Sequence, residues 1–295
     1  MLPDCQLCGT IAEEEKPNVA KRESSGSLKV RLLGTPQIER DGIAVEVDTR
    51  KAVALLAYLI VTTTSHSREA LATLFWPDYD QERAYANLRR TLWALNKALG
   101  KGWLDAGQES IGLAQRPGFF DVHAFREQLA AGRSHTHSPA EVCPECVAPL
   151  SAAVELYRGD FMAGFTLPDS PSFDEWQFFE SEGLRRDLAA ALEKLVRWYA
   201  AQGEFGQAIT FARRWLTLDP LQESVHRELM VLYAHAGQRA AALRQYEECR
   251  AVLRQELDVA PDVETTRLYT AIRANQLPPL PAGVAPSPAT APRPA

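Results

Sequence analysis

The sequence predicts an α+β N-terminal winged helix followed by an all-α, tetratricopeptide-like helical repeat domain, and three observations predict it. Short β-rich runs open the patterned part of the chain. Two helices joined by a proline-broken turn follow, the second with arginines opposite its apolar stripe. The C-terminal half then repeats itself at an offset of 34 residues.

In chain order, LKVRLLG (Leu28 to Gly34), PQIER (Pro36 to Arg40) and IAVEV (Ile43 to Val47) read as strands. Gly34, Pro36 and the Asp41-Gly42 pair punctuate them, and Asp-Gly is a strong signal for a tight hairpin. A helix follows from about Arg50, with Ala54, Leu55, Tyr58 and Leu59 on one face. Ser67 can cap the next helix, whose buried face is Ala70, Leu71, Leu74 and Phe75. Pro77 cannot continue it, so Trp76 to Tyr79 becomes the connection. The third helix runs from about Asp80, with Ala84, Leu88, Leu92, Leu95 and Leu99 recurring every three or four residues until Gly100 stops it. Trp103-Leu104 and Ser110 to Leu113 read as a closing hairpin around Asp105 to Gln108.

The third helix carries the functional signal. At about 100° per residue, Arg83, Ala86, Arg90 and Lys97 fall opposite its apolar stripe, with Asn87 and Arg89 on the flanks. A helix with one face in a core and the other offering forked guanidiniums suits the DNA major groove. Many core helices also carry a solvated charged face, so the flanking sheet and hairpin decide in favour of DNA. The net charge of −6 requires any DNA-binding surface to be local. It is local: Asp80 to Lys101 holds Arg83, Arg89, Arg90, Lys97 and Lys101 against Asp80 and Glu82.

The offset of 34 residues aligns Tyr199 with Tyr233, Ala200 with Ala234, Gly203 with Gly237 and Ala208 with Ala242. Leu195 aligns with Leu229, Ile209 with Leu243, and Leu218 with Val252. This period, with Gly at the turn and Ala at the helix crossing, is the tetratricopeptide pattern of stacked helical hairpins. Pro220 opens the second unit and Pro261 precedes a closing helix, Val263 to Ala274. Such arrays bind proteins or act as spacers and carry no catalytic chemistry of their own.

TRKAVALLAYL (Thr49 to Leu59), SREALATLFWP (Ser67 to Pro77) and RAYANLRRTLWALNKALG (Arg83 to Gly100) resemble the winged-helix domain of response regulators. More closely they resemble the antibiotic-regulatory-protein type of bacterial activator. There a helical bacterial transcriptional activator domain follows, and AVELYRGDFMAGF (Ala153 to Phe165) is similar to its start. The likeness covers about residues 28 to 275. The nearly uncharged Ser110 to Leu113 departs from the basic return strand frequent in the family's wing.

The resemblance implies a sequence-specific transcriptional activator that binds tandem direct repeats of double-stranded promoter DNA, self-associates there and recruits RNA polymerase. Arg83, Asn87 and Arg90 become candidates for base edges. Arg89, Lys97, Arg50 and Lys51 become candidates for phosphate contacts, the last two because they open a helix that faces the backbone in this domain type. The alternative is a scaffold whose winged helix and repeats serve protein contacts, without DNA binding. No receiver-like segment precedes the winged helix, so activation by aspartyl phosphate within the chain is not expected.

The remaining features set boundaries. Residues 1–26 and the Pro/Ala-rich 276–295 are expected to be disordered tails, with the winged helix over 27–127, a linker over 128–149 and the repeat domain over 150–275. The longest apolar run, Ala52 to Val61, is too short to span a membrane, and a signal peptide's pattern is absent, so a cytoplasmic protein without a membrane partner is expected. There is no nucleophile elbow, no H-E-x-x-H and no G-x-x-x-x-G-K-[ST], so no enzyme is expected. Cys249 reads as a small buried hydrophobe. His135, His137, Cys143 and Cys146 form the ligand set of a tetrahedral zinc site in the linker, the only cofactor expected. A four-cysteine site joining Cys5 and Cys8 to Cys143 and Cys146 is the other arrangement.

Overall fold

The computed structural model describes residues 27–133 and 142–276, together with Leu280. Four short strands build the first sheet: β1 (Leu28–Arg31), β2 (Gln37–Arg40), β3 (Ile43–Ala44) and β7 (Phe119–Phe120), in the order β3-β2-β1-β7. β1 and β2 are antiparallel, with Val30 opposite Ile38, and alternation sends Leu28 and Val30 into the core. Asp41 and Gly42 both take positive φ, 54° and 78°, as the tight turn between β2 and β3 requires. β3 is shorter than the expected Ile43 to Val47. The Val45 amide still reaches the Ile38 carbonyl at 2.8 Å, but the chain then leaves for Thr49, which caps α1 (Arg50–Thr62) by accepting from the Ala52 amide.

α3 (Gln81–Leu99) packs against both α1 and α2 (Arg68–Phe75). The wing consists of β4 (His66–Ser67), β5 (Leu104–Ala106) and β6 (Ser110–Leu113), in the order β4-β6-β5. The closing hairpin thus forms where the sequence places it, and β4 and β7 are additional. Two-residue strands carry no readable alternation.

β7 leads into α4 (Asp121–Ala131), and α5 (Pro144–Leu156) begins inside the stretch expected as linker. Pro144 occupies the first turn of α5, where a missing amide costs nothing. α6 (Pro171–Ala201), α7 (Phe205–Leu216), α8 (Glu223–His235), α9 (Arg239–Leu257) and α10 (Val263–Arg273) complete the chain. The repeat is visible atom by atom. Gly203 and Gly237 turn at φ 74° and 71°, and the Glu204 and Gln238 amides reach the carbonyls of Tyr199 and Tyr233 at 2.9 and 2.8 Å. Ala208 and Ala242 are both fully buried where helices cross. Cys249 is buried as expected.

The hydrophobic core divides within α6 rather than between the winged helix and the helices. One cluster runs without a break from Leu28 to Leu195, and a second from Val196 to Ile272. Main-chain contacts fasten the two halves. The segment after α5 pairs with the chain following β1: the Gly34 amide donates to Asp160, and the Met162 amide donates to Leu32 at 2.7 Å. The buried Asp121 carboxylate accepts from the Leu32 and Leu33 amides at 2.7 and 3.0 Å and pairs with Arg158 at 3.4 Å.

Candidate nucleic-acid interface

α2 and α3 are set by local chemistry. The Ser67 hydroxyl accepts from the Ala70 amide, and Asp80 accepts from the Arg83 amide at 2.9 Å, so each helix starts on a side-chain cap. Ala84, Leu88, Leu92, Leu95 and Leu99 seat α3 in the core together with Thr91. Gly100, at φ 87°, closes the helix with its amide on the Asn96 carbonyl.

Seating that stripe turns the opposite face outward. Arg83, Arg89, Arg90 and Lys97 are exposed and Asn87 is half-buried beside them. Among the described residues none of these four cations pairs with a carboxylate, whereas Lys51, Arg126, Arg158 and Arg185 do. The Arg83 guanidinium lies 4.8 Å from the Tyr79 ring centroid, and the Lys97 ammonium 5.4 Å from that of Trp93. These aromatics orient cations without neutralising them. Arg68 fixes the wing by donating through Nε and Nη2 to the Gly107 carbonyl, at 3.2 and 2.9 Å. The structure therefore leaves Arg83, Arg89, Arg90 and Lys97 exposed on α3, with Asn87 half-buried on one flank.

Arg50 and Lys51, expected as phosphate contacts, lie apart from the outward face of α3 and make contacts within the protein. Arg50 donates to the Thr166 carbonyl through Nε and Nη2 and lies over Phe165. Lys51 donates to the Phe75 carbonyl at 2.5 Å, pairs with Asp169 at 2.8 Å and keeps only 14 % of its side chain exposed. Both hold the winged helix to the segment before α6. Ser170 completes this clasp by donating to the same Phe75 carbonyl at 2.8 Å.

Of the zinc candidates, His135 and His137 lie outside the described residues, as do Cys5 and Cys8. Cys143 stands at the N-cap of α5 with its Sγ 3.4 Å from that of the buried Cys146. Partial burial, then hydrogen bonding with Glu145 and Cys146, pushes the Cys143 thiol up to about 11. Among the described residues no group of three His, Cys, Asp or Glu side chains is gathered as a metal would need.

Asp121 with Arg158 and the Lys51 clasp were not foreseen from sequence. Their partners are remote along the chain, and no local pattern announces them. Trp93 was also passed over, although the same helical projection places it on the outward face.

A winged helix with an exposed basic α3, fused to stacked helical hairpins, defines a class of DNA-binding regulators. The comparisons are specific about which. Residues 120–273 match the model of the bacterial transcriptional activator domain, and the chain belongs to that family. It is 27% identical over 261 residues to the regulatory protein AfsR of Streptomyces coelicolor, a match covering 85% of this chain and 25% of AfsR. It is 25% identical over 276 residues to the transcriptional regulatory protein MoaR1 of Mycobacterium tuberculosis, covering 91% and 86% of the two chains. This chain thus spans about a quarter of AfsR and most of MoaR1. The solved structure of Mycobacterium tuberculosis EmbR, in complex with a low-affinity phosphopeptide, shares the fold with a TM-score of 0.62. Its sequence identity is 23%, and the match covers 87% of this chain and 67% of EmbR. No helix among the described residues is long and apolar enough to cross a membrane.

Proposed function

We propose that this protein is a sequence-specific transcriptional activator that seats α3 in the major groove of promoter DNA. The observation that carries the reading is the outward face of α3, four cations without a carboxylate partner on a helix anchored along its whole length. Arg83, Asn87 and Arg90 read base edges, where bidentate guanidinium and amide contacts discriminate between bases. Arg89 and Lys97 hold phosphates. The helical half pairs protomers on tandem direct repeats and contacts RNA polymerase, as membership of an activator family supports.

The test is binding of the full chain to duplexes recovered from a random pool, followed over a range of salt. The log of affinity should fall linearly with the log of salt, with a slope near 0.9 per phosphate neutralised. A scaffold would show no salt-dependent duplex binding, and that result would overturn the reading. Addition of polymerase and a promoter bearing the recovered site should then give activated transcription. Zinc held by His135, His137, Cys143 and Cys146 is the further part of this proposal: elemental analysis should give about one zinc per chain, lost on Cys143→Ser. Metal-free protein would leave the cysteine pair as part of the packing of α5.

A further inference from the structure

We propose that Trp93 reads sequence, its indole packing against the C5-methyl of a thymine in the major groove. The inference rests on the DNA-binding reading and adds a base-specific apolar contact to it.

Trp93 is 65% exposed. The chain's five other tryptophans are not so placed: Trp76 and Trp103 are buried, and Trp176, Trp198 and Trp215 are half-buried. The largest apolar side chain left in water therefore sits on the most basic helix. Its position there is central. It lies three residues after Arg90 and four before Lys97, about 4.5 Å and 6 Å along the axis, so it shares their face.

Three features suit it to DNA rather than to a protein surface. The cations around it bring phosphate and repel other basic surfaces. The Lys97 ammonium, 5.4 Å from the ring centroid, holds the indole at the helix surface while leaving its own charge available. Ala86 and Ala94, which flank the same face, are small enough to let the helix approach the groove floor. Within a major groove the apolar feature of the base edges is the thymine methyl, so an indole pressed there favours thymine over the other bases.

The experiment uses the full chain and a duplex recovered from a random pool by the unaltered protein. Each thymine is replaced in turn by deoxyuridine, which keeps the base pair and removes only the methyl. One or two positions should lose about fourfold in affinity, the value of one buried methyl. Trp93→Ala should bind the thymine duplex roughly tenfold more weakly. It should no longer distinguish thymine from deoxyuridine, and it should keep the salt slope and the melting temperature of the unaltered chain. The inference is overturned if deoxyuridine is tolerated everywhere, or if Trp93→Ala still senses the methyl. It is equally overturned if Trp93→Ala affects only cooperative occupation of two sites, which would assign the indole to a second copy of this chain. Loss of all salt-sensitive duplex binding in the unaltered protein would instead remove the DNA-binding reading, and this inference with it.

Discussion

The outward face of α3 and the clasp at the start of α1 are both basic, and the fold treats them in opposite ways. Lys51, Arg126 and Arg158 each meet a carboxylate from across the joint, in Asp169, Glu180 and Asp121, and Arg50 meets a carbonyl. Arg83, Arg89, Arg90 and Lys97 meet water and aromatic rings. Satisfied cations fasten elements together, while unsatisfied ones are available to a polyanion. Sequence position alone cannot tell the two groups apart, because the carboxylate partners of the joint are remote along the chain.

The contrast can be broken most forcefully at Asp121. Asp121→Ala removes the acceptor of two buried amides and strands Arg158, so unfolding free energy should fall by about 3–5 kcal/mol in denaturant titration. The winged helix and α4–α6 should melt in one transition, since one hydrophobic cluster spans them. Two separate transitions would mean that the halves are independent.

A carboxylate without such partners should behave in the reverse sense. In the repeat, burial pushes the Glu228 carboxyl up to about 7, and Arg197 offsets this only in part because it is paired with Glu193. Among the described residues its Oε1 has no hydrogen-bond partner. Because the folded pKa is raised, this residue's contribution to stability is full below about 4.5 and falls as the pH rises through about 7. Glu228→Gln should therefore stabilise the protein by about 2 kcal/mol at pH 8 and leave it unchanged near pH 4, measured by denaturant titration at both values. A constant difference across that window would show that the carboxyl titrates normally.

On α3, Arg90→Ala should cost about 1–3 kcal/mol on a selected site and relax preference at one base pair, with an unchanged melting temperature. A lowered melting temperature would show that Arg90 supports the fold instead. The smallest effect sharpens the comparison from the other side. Lys51→Ala should destabilise the fold by about 1–2 kcal/mol and leave the salt slope of DNA binding as it was. A slope reduced by about one would return Lys51 to the phosphate contacts.

What sequence reveals here is what the chain decides locally. Ser67 as a cap, the three- and four-residue spacing from Ala84 to Leu99 and the Asp41-Gly42 turn act over a few residues, and each forms where expected. The repeat is legible because Gly203 and Gly237 solve the same turn twice. The joint is illegible for the opposite reason. Asp121 finds its amide partners 88 and 89 residues away, and Arg50 finds Thr166 across 116. The basic face is legible in the charges of Asp80 to Lys101, whereas Trp93 is not, since an apolar residue on an amphipathic helix ordinarily marks the buried side.

The joint bears on the longest element of the molecule. α6 has 31 residues, which makes it a rod of about 46 Å. Its first turns lie against the clasp, where the Phe173 ring packs at a tilt against Phe75, and its last turns start the repeat. A tilt of about 5° at the near end would swing the far end by about 4 Å, more than the rise of one base pair. Lys51, Arg50 and Ser170 therefore act as the bearing of a lever. Their tightness sets how faithfully the repeat keeps its distance from α3.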